Sequence, residues 1–510
     1  MKLLGLPRRS GILLHITSLP GGPFTGDLGP SAYAFADFLA DAGQAWWQTL
    51  PLNPIGDGSS PYSSIASFAT EPLMISPELL VEDELLDHDS LRGVPRASTD
   101  WKANVAESQR LRGRLLRRAY ESFLERPQPI SRAFADFRAR EAGWLEDYCL
   151  FAACGDRFGT CNWTRWPGEI AKHDKTALQA AGADLEEETN YLAFQQFLFD
   201  RQWRALRRYC HERGVGIIGD IPMFVAHESA DVWAHQQAFL LEDNGLPEFV
   251  AGAPPDAFAA DGQRWGNALY DWAHHEKTGF GWWKERITRQ LEWFDLVRLD
   301  HFIGFKRYWR ISRTAETAMD GCWVPAPGEQ LFDELVRVHG ELPFIAEDLG
   351  SVTQEVWDLR DQYHLPGMKV LQFAFNGGGA IHRPDNYPPA SVAYTGTHDS
   401  DTTLGWYKAL KHRAHCGDPS AGAELRNVHE RLGTENEAEI AAAAIRALSK
   451  SRANTVIIPM QDVLNLDGSH RMNAPGTAHG NWTWRLRDGE LGTAVAERLR
   501  ELAEATDRCR

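Results

Sequence analysis

Eight short apolar runs, each ending in a polar cluster with glycine or proline nearby, constrain the fold of this 510-residue chain more than any other feature. Such runs are typical of buried parallel strands followed by functional loops, and helical patterns lie between most of them. The runs are residues 11–15, 45–50, 215–220, 295–300, 343–347, 368–375, 392–397 and 455–459. The alternation predicts an α/β fold, a (β/α)8 TIM barrel with its active site at the carboxyl ends of the strands.

A doubly wound sheet is the structural alternative, but no glycine-rich phosphate turn follows the first run, and eight strands close a barrel naturally. Residues 59–214, after the second strand, contain amphipathic segments at 108–124 and 133–151 and predict a mainly helical insertion. Residues 224–283, after the third strand, predict an active-site rim or lid.

These observations predict one domain over residues 1–510, a barrel with two insertions. After residue 459 the sequence shows no β-sandwich pattern and closes with a predicted helix at 493–505. We therefore expect large, mainly helical insertions and no carboxyl-terminal β-sandwich domain.

The composition narrows the class of partner. A formal net charge of −17 repels phosphate backbones, so nucleic acid and anionic membranes are poor partners and a neutral or small substrate fits better. The seven cysteines include no C-x-x-C pair, which argues against a disulfide framework or a zinc ribbon. With neither a signal-peptide pattern nor an apolar span, we expect a cytoplasmic protein of unknown oligomeric state.

Four carboxylates lie at or just beyond predicted strand ends: Asp220, Asp300, Glu347 and Asp399. Barrel interiors are normally apolar, so acids that converge at one mouth are costly unless they are used. Acids on neighbouring strands can approach within the roughly 5 to 5.5 Å that retaining glycosidases use. The pattern therefore indicates glycoside chemistry with paired carboxylates.

Two neighbours of these acids bear on their charge. Arg298 precedes Asp300 by two residues and points to the same face, where it favours the ionised carboxylate; a purely structural ion pair is the alternative. Asp348 follows Glu347 directly, and its charge disfavours ionisation of that neighbour, which helps a general acid to keep its proton.

A metal-dependent barrel hydrolase is the competing interpretation, because His15, Asp220, His301, His398 and Asp399 also lie near strand ends. Consecutive residues of a strand face opposite ways, so ideal geometry denies one metal both members of His398–Asp399. A lone histidine here is more typical of a sugar-binding donor or a satisfied structural residue. We therefore expect no metal and no cofactor.

At this point the motifs resemble a known family. Residues 298–302 (RLDHF), 346–350 (AEDLG) and 395–402 (TGTHDSDT) are similar to the signature blocks of the 4-α-glucanotransferases, the amylomaltases or disproportionating enzymes of glycoside hydrolase family 77. The resemblance also covers residues 60–64, 162–167, 219–222, 254–256, 262–267, 471–477 and 481–485, in the expected order. It therefore extends along most of the chain and is least clear over residues 78–190.

The resemblance implies roles for ten residues. Asp300 is the implied nucleophile, Glu347 the general acid/base, and Asp399 the acid that grips the donor sugar and stabilises its distorted transition state. Asp220, Arg298 and His398 match positions around the donor subsite, and Tyr62, Asp256, Trp265 and Asn267 match rim and substrate-lining positions. The implied substrates are maltooligosaccharides and α-glucans.

The sequence departs from the common family pattern at Ile303, Ser400 and Ala268, where arginine, asparagine and proline are usual. None of these changes removes a carboxylate, but they leave open the preferred chain length and the ratio of transfer to hydrolysis. An amylase-like α-glucan hydrolase is therefore the first alternative, and a non-catalytic sugar-binding protein on the same barrel is the remote one.

Overall fold

The computed structural model describes residues 8–56, 60–95, 100–125, 130–255, 260–376, 379–477 and 479–509. Its centre is a closed barrel of eight parallel strands, in the order β1-β12-β11-β10-β9-β6-β3-β2. These strands are β1 (Arg9–Leu13), β2 (Trp46–Gln48), β3 (Gly216–Ile221), β6 (Leu296–Leu299), β9 (Phe344–Ala346), β10 (Gly367–Val370), β11 (Ser391–Tyr394) and β12 (Thr455–Pro459). The predicted (β/α)8 barrel is confirmed.

Each of the eight predicted runs overlaps a barrel strand, but some runs extend beyond their strands. The run 368–375 holds β10 only to Val370, and Leu371–Ala374 forms a 3-10 turn. Leu371 and Ala374 are buried all the same. The turn is apolar because it is buried, although it is not a strand. The apolar run in the sequence therefore continues past the end of β10.

Helices surround the barrel and fill the long connection after β2. The described α-helices are α1 (Pro30–Asp41), α2 (Pro77–Glu82), α3 (Val105–Glu125), α4 (Ile130–Arg140), α5 (Ala142–Phe158), α6 (Gly168–Ala171), α7 (Lys175–Asp184), α8 (Glu186–Glu212), α9 (Ala230–Ala234), α10 (Trp272–Lys277), α11 (Gly281–Trp293), α12 (Gly328–His339), α13 (Gln354–Gln362), α14 (Thr403–His415), α15 (Pro419–Leu432), α16 (Ile440–Lys450), α17 (Met460–Val463) and α18 (Thr493–Ala505). Within the described ranges, no helix has the length and apolar character that crossing a membrane requires.

The amphipathic segments of the long connection correspond to α3, α4 and α5. The segment 133–151 is divided between α4 and α5 at Glu141, whose nearly buried carboxylate pairs with Arg289 at 3.1 Å. The helix predicted at 493–505 is α18.

A second sheet, which the sequence analysis did not predict, lies beside the barrel. It is antiparallel, in the order β5-β4-β7-β8, and is called the rim sheet below. Its strands are β4 (Phe249–Ala253), β5 (Gln263–Ala268), β7 (Arg307–Ser312) and β8 (Cys322–Pro325). The connection after β3 supplies β4 and β5, and the connection after β6 supplies β7 and β8, so the rim sheet joins two loops of the barrel.

Candidate active site

The barrel interior is apolar and gives way to charged residues at the carboxyl ends of its strands. Ile218, Leu296, Ile345, Met368, Val392 and Ile457 form one buried cluster inside the barrel. Because side chains alternate across a strand, a residue two positions further along points the same way. Asp220, Arg298 and Glu347 occupy those positions after Ile218, Leu296 and Ile345. The strand period thus places a charged layer directly on the apolar one.

Arg298 contacts two of the acids at once. It is paired in register with Asp220 across β3 and β6. Its Nη1 donates to both carboxylate oxygens of Asp220, at 2.8 and 2.7 Å, and its Nη2 lies 2.8 Å from Oδ1 of Asp300. Arg298 and Asp220 are buried, whereas Asp300 is partly exposed. The contact holds the side chain of Asp300 at the mouth of the barrel, beside a buried guanidinium.

Glu347 lies beside Asp300. Leu299 of β6 and Ala346 of β9 are register partners, so Asp300 and Glu347 follow at matching heights on adjacent strands. The carboxylate of Glu347 accepts hydrogen bonds from the backbone N–H of His301, at 2.8 Å, and of Leu349, at 3.1 Å. Burial, with the nearby charge of Asp300, raises the pKa of Glu347 to about 8, although Arg298 opposes the shift. The site therefore presents one carboxylate beside a guanidinium and one carboxyl group that retains its proton at neutral pH.

Asp348 has a structural role that was not predicted from the sequence, in addition to the effect of its charge. Its charge raises the pKa of Glu347, as expected, but burial is the larger cause. The Asp348 side chain accepts the backbone N–H of Met368 at 2.7 Å and pairs with Arg360 at 2.5 Å. It therefore ties the end of β9 to β10 and α13, which holds the neighbouring Glu347 in place.

Tyr62 and His398 close the site on the side of Asp220. The hydroxyl of Tyr62 donates to Oδ2 of Asp220 at 2.9 Å, and its ring stacks on His398 with centroids 5.0 Å apart and planes 16° apart. Burial lowers the pKa of His398, which favours the neutral imidazole. A neutral imidazole and a phenol can both form hydrogen bonds to sugar hydroxyls.

Asp399 stands at the exposed side of the mouth. Its Oδ1 accepts a hydrogen bond from Nδ2 of Asn473 at 2.6 Å, and its backbone carbonyl accepts one from Arg471 at 2.9 Å. Its Oδ2 lies 3.4 Å from Nε2 of His398. The expectation that this His–Asp pair faces apart was wrong, because β11 ends at Tyr394 and both residues lie in the loop beyond it.

Two of the predicted rim residues, Trp265 and Asn267, lie on β5. Trp265 is 38% exposed, and its ring meets His301 edge to face with centroids 4.8 Å apart. Asn267 follows on the same strand and is partly buried. Asp256 lies outside the residues that the structure describes. The rim sheet thus brings an exposed tryptophan next to the residue that follows Asp300.

The histidines of the competing metal interpretation make other contacts. Nδ1 of His15 lies 3.1 Å from the hydroxyl of Thr49, and burial lowers the pKa of His15 to about 3. His301 packs on Trp265, and burial lowers its pKa to about 4. Across the described part of the chain, no group of three or more His, Cys, Asp or Glu side chains is arranged to hold a metal ion.

Three features of the site were missed by sequence reasoning. Asn473 contacts Asp399, Trp482 packs against Tyr62 and His398, and the backbone N–H of His301 contacts Glu347. Both side chains belong to motifs, 471–477 and 481–485, that the sequence analysis recognised without assigning them a role.

Comparison with known proteins gives the same family over nearly the whole chain. The family model described as 4-alpha-glucanotransferase, glycoside hydrolase family 77, matches residues 14–491. The chain is 46% identical to a 4-alpha-glucanotransferase of Thermus thermophilus over 99% of both chains. It is 41% identical to one of Synechocystis, over 98% of this chain and 97% of that one.

A solved structure of the same kind is also similar. The amylomaltase from Streptococcus agalactiae in complex with acarbose is 34% identical, with a TM-score of 0.93 over 99% of this chain and 100% of that chain. The resemblance seen in the sequence motifs is thereby confirmed. The chain belongs to glycoside hydrolase family 77, the family of the 4-α-glucanotransferases.

Proposed function

We propose that this enzyme transfers α-1,4-glucan segments from a donor maltooligosaccharide to the 4-hydroxyl of an acceptor glucose or glucan, by a retaining double displacement. The observation that carries this mechanism is the pair Asp300 and Glu347, each directly after one of the register partners Leu299 of β6 and Ala346 of β9. A guanidinium contacts Asp300, whereas burial raises the pKa of Glu347 to about 8. A carboxylate held by a guanidinium, next to a buried carboxyl group with a raised pKa, is suited to the roles of nucleophile and general acid.

In the first step, a carboxylate oxygen of Asp300 attacks the anomeric carbon of the donor sugar. The glycosidic bond breaks through an oxocarbenium-like state, and Glu347 gives its proton to the leaving oxygen. In the second step, the 4-hydroxyl of the acceptor attacks the same carbon and gives its proton to the Glu347 carboxylate. The ester bond to Asp300 breaks, and the configuration of the sugar is retained.

The remaining residues bind the substrate in this proposal. Asp399 grips the donor sugar and stabilises its distorted transition state, and its fixed carboxylate next to Asn473 supports that role. Asp220, Arg298 and His398 surround the donor sugar. Tyr62, Asp256, Trp265 and Asn267 line the cleft and its rim, and the exposed ring of Trp265 offers a face on which a sugar stacks.

No step of this mechanism calls for a cofactor or a metal. We propose that the enzyme works without either, in the cytoplasm, with maltooligosaccharides and α-glucans as its partners and neither nucleic acid nor a membrane. The negative formal charge of −17 supports the last two points.

Incubation of the purified enzyme with maltotriose in EDTA tests the proposal. We expect released glucose together with a ladder of longer maltooligosaccharides, and no such products from Glu347→Gln. The matched control Glu437→Gln removes a surface carboxylate that pairs with Lys411 at 2.8 Å, and it should leave the ladder unchanged.

Each contrary result has a distinct meaning. Shorter sugars alone would identify an amylase-like hydrolase, in which water and not a sugar completes the second step. Loss of activity in EDTA that a divalent ion restores would identify a metal-dependent enzyme. If the enzyme left maltotriose unchanged, the assignment of α-glucans as its substrates would be wrong.

A further inference from the structure

Trp482 has a backbone conformation that an ordinary tryptophan avoids. Its φ is +62°, in the left-handed region that favours glycine, because a Cβ atom there crowds the following carbonyl. Such conformations persist only where the surrounding structure imposes them, and they cluster at functional sites. The position therefore requires an explanation in terms of what its side chain contacts.

The described residues 471–477 and 479–482, which we call the carboxyl-terminal clasp, come after β12 in the chain, and backbone and side-chain hydrogen bonds join their two ends. The backbone N–H of Trp482 donates to the carbonyl of Met472 at 2.7 Å. The side-chain oxygen of Asn481 accepts the backbone N–H of Ala474 at 2.9 Å. These bonds fix the two ends of the clasp beside each other and hold Trp482 in its left-handed conformation.

One end of the clasp packs on the residues beside Asp220. The Trp482 ring lies 5.7 Å from the Tyr62 ring and 5.9 Å from the His398 ring, measured between centroids. Tyr62 and His398 stack on each other, and the Tyr62 hydroxyl donates to Asp220. Trp482 therefore forms the outer member of a three-ring group whose innermost contact is a buried carboxylate.

The other end of the clasp holds Asp399. Asn473 donates from its side chain to Oδ1 of Asp399 at 2.6 Å, and its backbone N–H donates to the carbonyl of His398 at 3.1 Å. Arg471 donates to the carbonyl of Asp399 at 2.9 Å and to the carbonyl of Asn473 at 2.8 Å. The same short segment therefore contacts both sides of the His398–Asp399 loop.

We propose that the carboxyl-terminal clasp is a positioning element for the donor sugar, and that Trp482 is a positioning residue that aligns the rings of Tyr62 and His398. The inference rests on the proposed function, because it assigns those two residues to the donor side. Trp482 acts through the two rings and not on the reacting atoms. The left-handed backbone is the cost of presenting an indole at this point of a tight loop.

Three substitutions separate positioning from folding. Trp482→Gly removes the ring and relieves the backbone, Trp482→Ala removes the ring and keeps the strained conformation, and Trp482→Phe keeps an aromatic ring. Steady-state glucose release from maltotriose gives kcat and KM, and thermal unfolding gives Tm. We expect kcat to fall by about 100-fold in both the Gly and Ala variants, the effect of a small misplacement of binding groups. KM should change far less, Tm should be higher for Gly than for Ala, and Trp482→Phe should recover most of kcat.

His364→Gly is the matched control, since His364 is an exposed residue with a φ of +57°. It should raise Tm and leave kcat unchanged. If Trp482 acts through Tyr62, the two substitutions are not independent. The fold-loss of kcat in the double variant Trp482→Gly/Tyr62→Phe should then be smaller than the product of the two single fold-losses.

A Trp482→Gly enzyme with near-wild-type kcat would overturn the inference. So would a kcat loss in the Ala and Gly variants that follows their Tm values, because the ring would then contribute stability alone. A wild-type enzyme without disproportionation would overturn the proposed function, and this inference with it.

Discussion

Nη1 of Arg298 lies 2.8 and 2.7 Å from the two carboxylate oxygens of Asp220, its register partner on the adjacent strand. The second terminal nitrogen of the same guanidinium reaches Asp300 at 2.8 Å. A planar guanidinium can satisfy both acids in one fixed orientation, whereas an ammonium group is a single compact charge. The orientation of the Asp300 carboxylate thus depends on Arg298, and Asp220 in turn holds the Arg298 side chain in place.

We therefore predict that Arg298→Lys impairs catalysis far more than a charge-conserving change suggests. The lysine loses the bond to one of the two acids, so kcat/KM should fall by about 100-fold or more, the typical effect of a small misalignment of reacting groups. Steady-state kinetics with maltotriose measures the loss, and Tm reports the accompanying loss of stability.

Arg112→Lys is the control for Arg298→Lys. Arg112 is buried and pairs with Asp27 at 2.9 Å, in contacts that include none of the catalytic candidates. It should lower Tm to a similar degree while kcat/KM of the folded enzyme stays unchanged. Equal losses of activity in the two variants would show that the Arg298 effect is one of stability.

The activity should persist into mildly alkaline solution. Glu347 must be protonated in the free enzyme to act as an acid, and burial raises its pKa to about 8. We predict that kcat/KM stays level as the pH rises to about 8 and then falls tenfold per unit. A pH profile of kcat/KM measures this, and an alkaline limb near the ordinary pKa of a glutamic acid would contradict the assignment.

Glu347 should also make folding stability depend on pH. The folded state retains the proton up to a pKa of about 8, whereas the unfolded chain releases it near 4.5. The unfolded state thus binds fewer protons between those values, and the contribution to stability declines with rising pH, by at most about 1.4 kcal/mol per unit.

Glu347→Gln removes this titration, so the glutamine variant should gain stability relative to the wild type as the pH rises from 4.5 to about 8. Above that range the difference should level off. Urea unfolding of both proteins at a series of pH values measures the difference. A difference that stays constant with pH would mean that Glu347 titrates alike in both states.

Trp265 should affect binding more than chemistry. Trp265 is 38% exposed at the rim, its indole N–H donates to the side chain of Gln263, and its ring packs against His301. We predict that Trp265→Ala raises KM by about two- to tenfold, which corresponds to the loss of one aromatic contact of about 0.5–1.5 kcal/mol. The kcat should change little. Kinetics with maltotriose and a longer oligosaccharide measure the effect, and a change confined to kcat would place Trp265 elsewhere in the mechanism.

The barrel was predictable because each buried parallel strand appears as a separate apolar run. Asp220, Asp300 and Glu347 end three of those runs, and Asp399 lies just beyond a fourth. The rim sheet was not, since β5 exposes the consecutive residues Arg264 and Trp265 and shows no simple alternation of buried and exposed side chains. Asn473 and Trp482 reach the site from positions 75 and 84 residues beyond His398 in the chain. No local pattern records such a contact, because the closure of the barrel creates it.

The rim sheet has one more consequence, for access to the cleft. Four register pairs join β4, from the loop above Asp220, to β7, from the loop that begins after Asp300. Neither loop can therefore swing outward alone without breaking that ladder of hydrogen bonds. On this side of the cleft the two loops therefore move only as one unit. A glucan chain that enters here meets an opening whose width the rim sheet fixes.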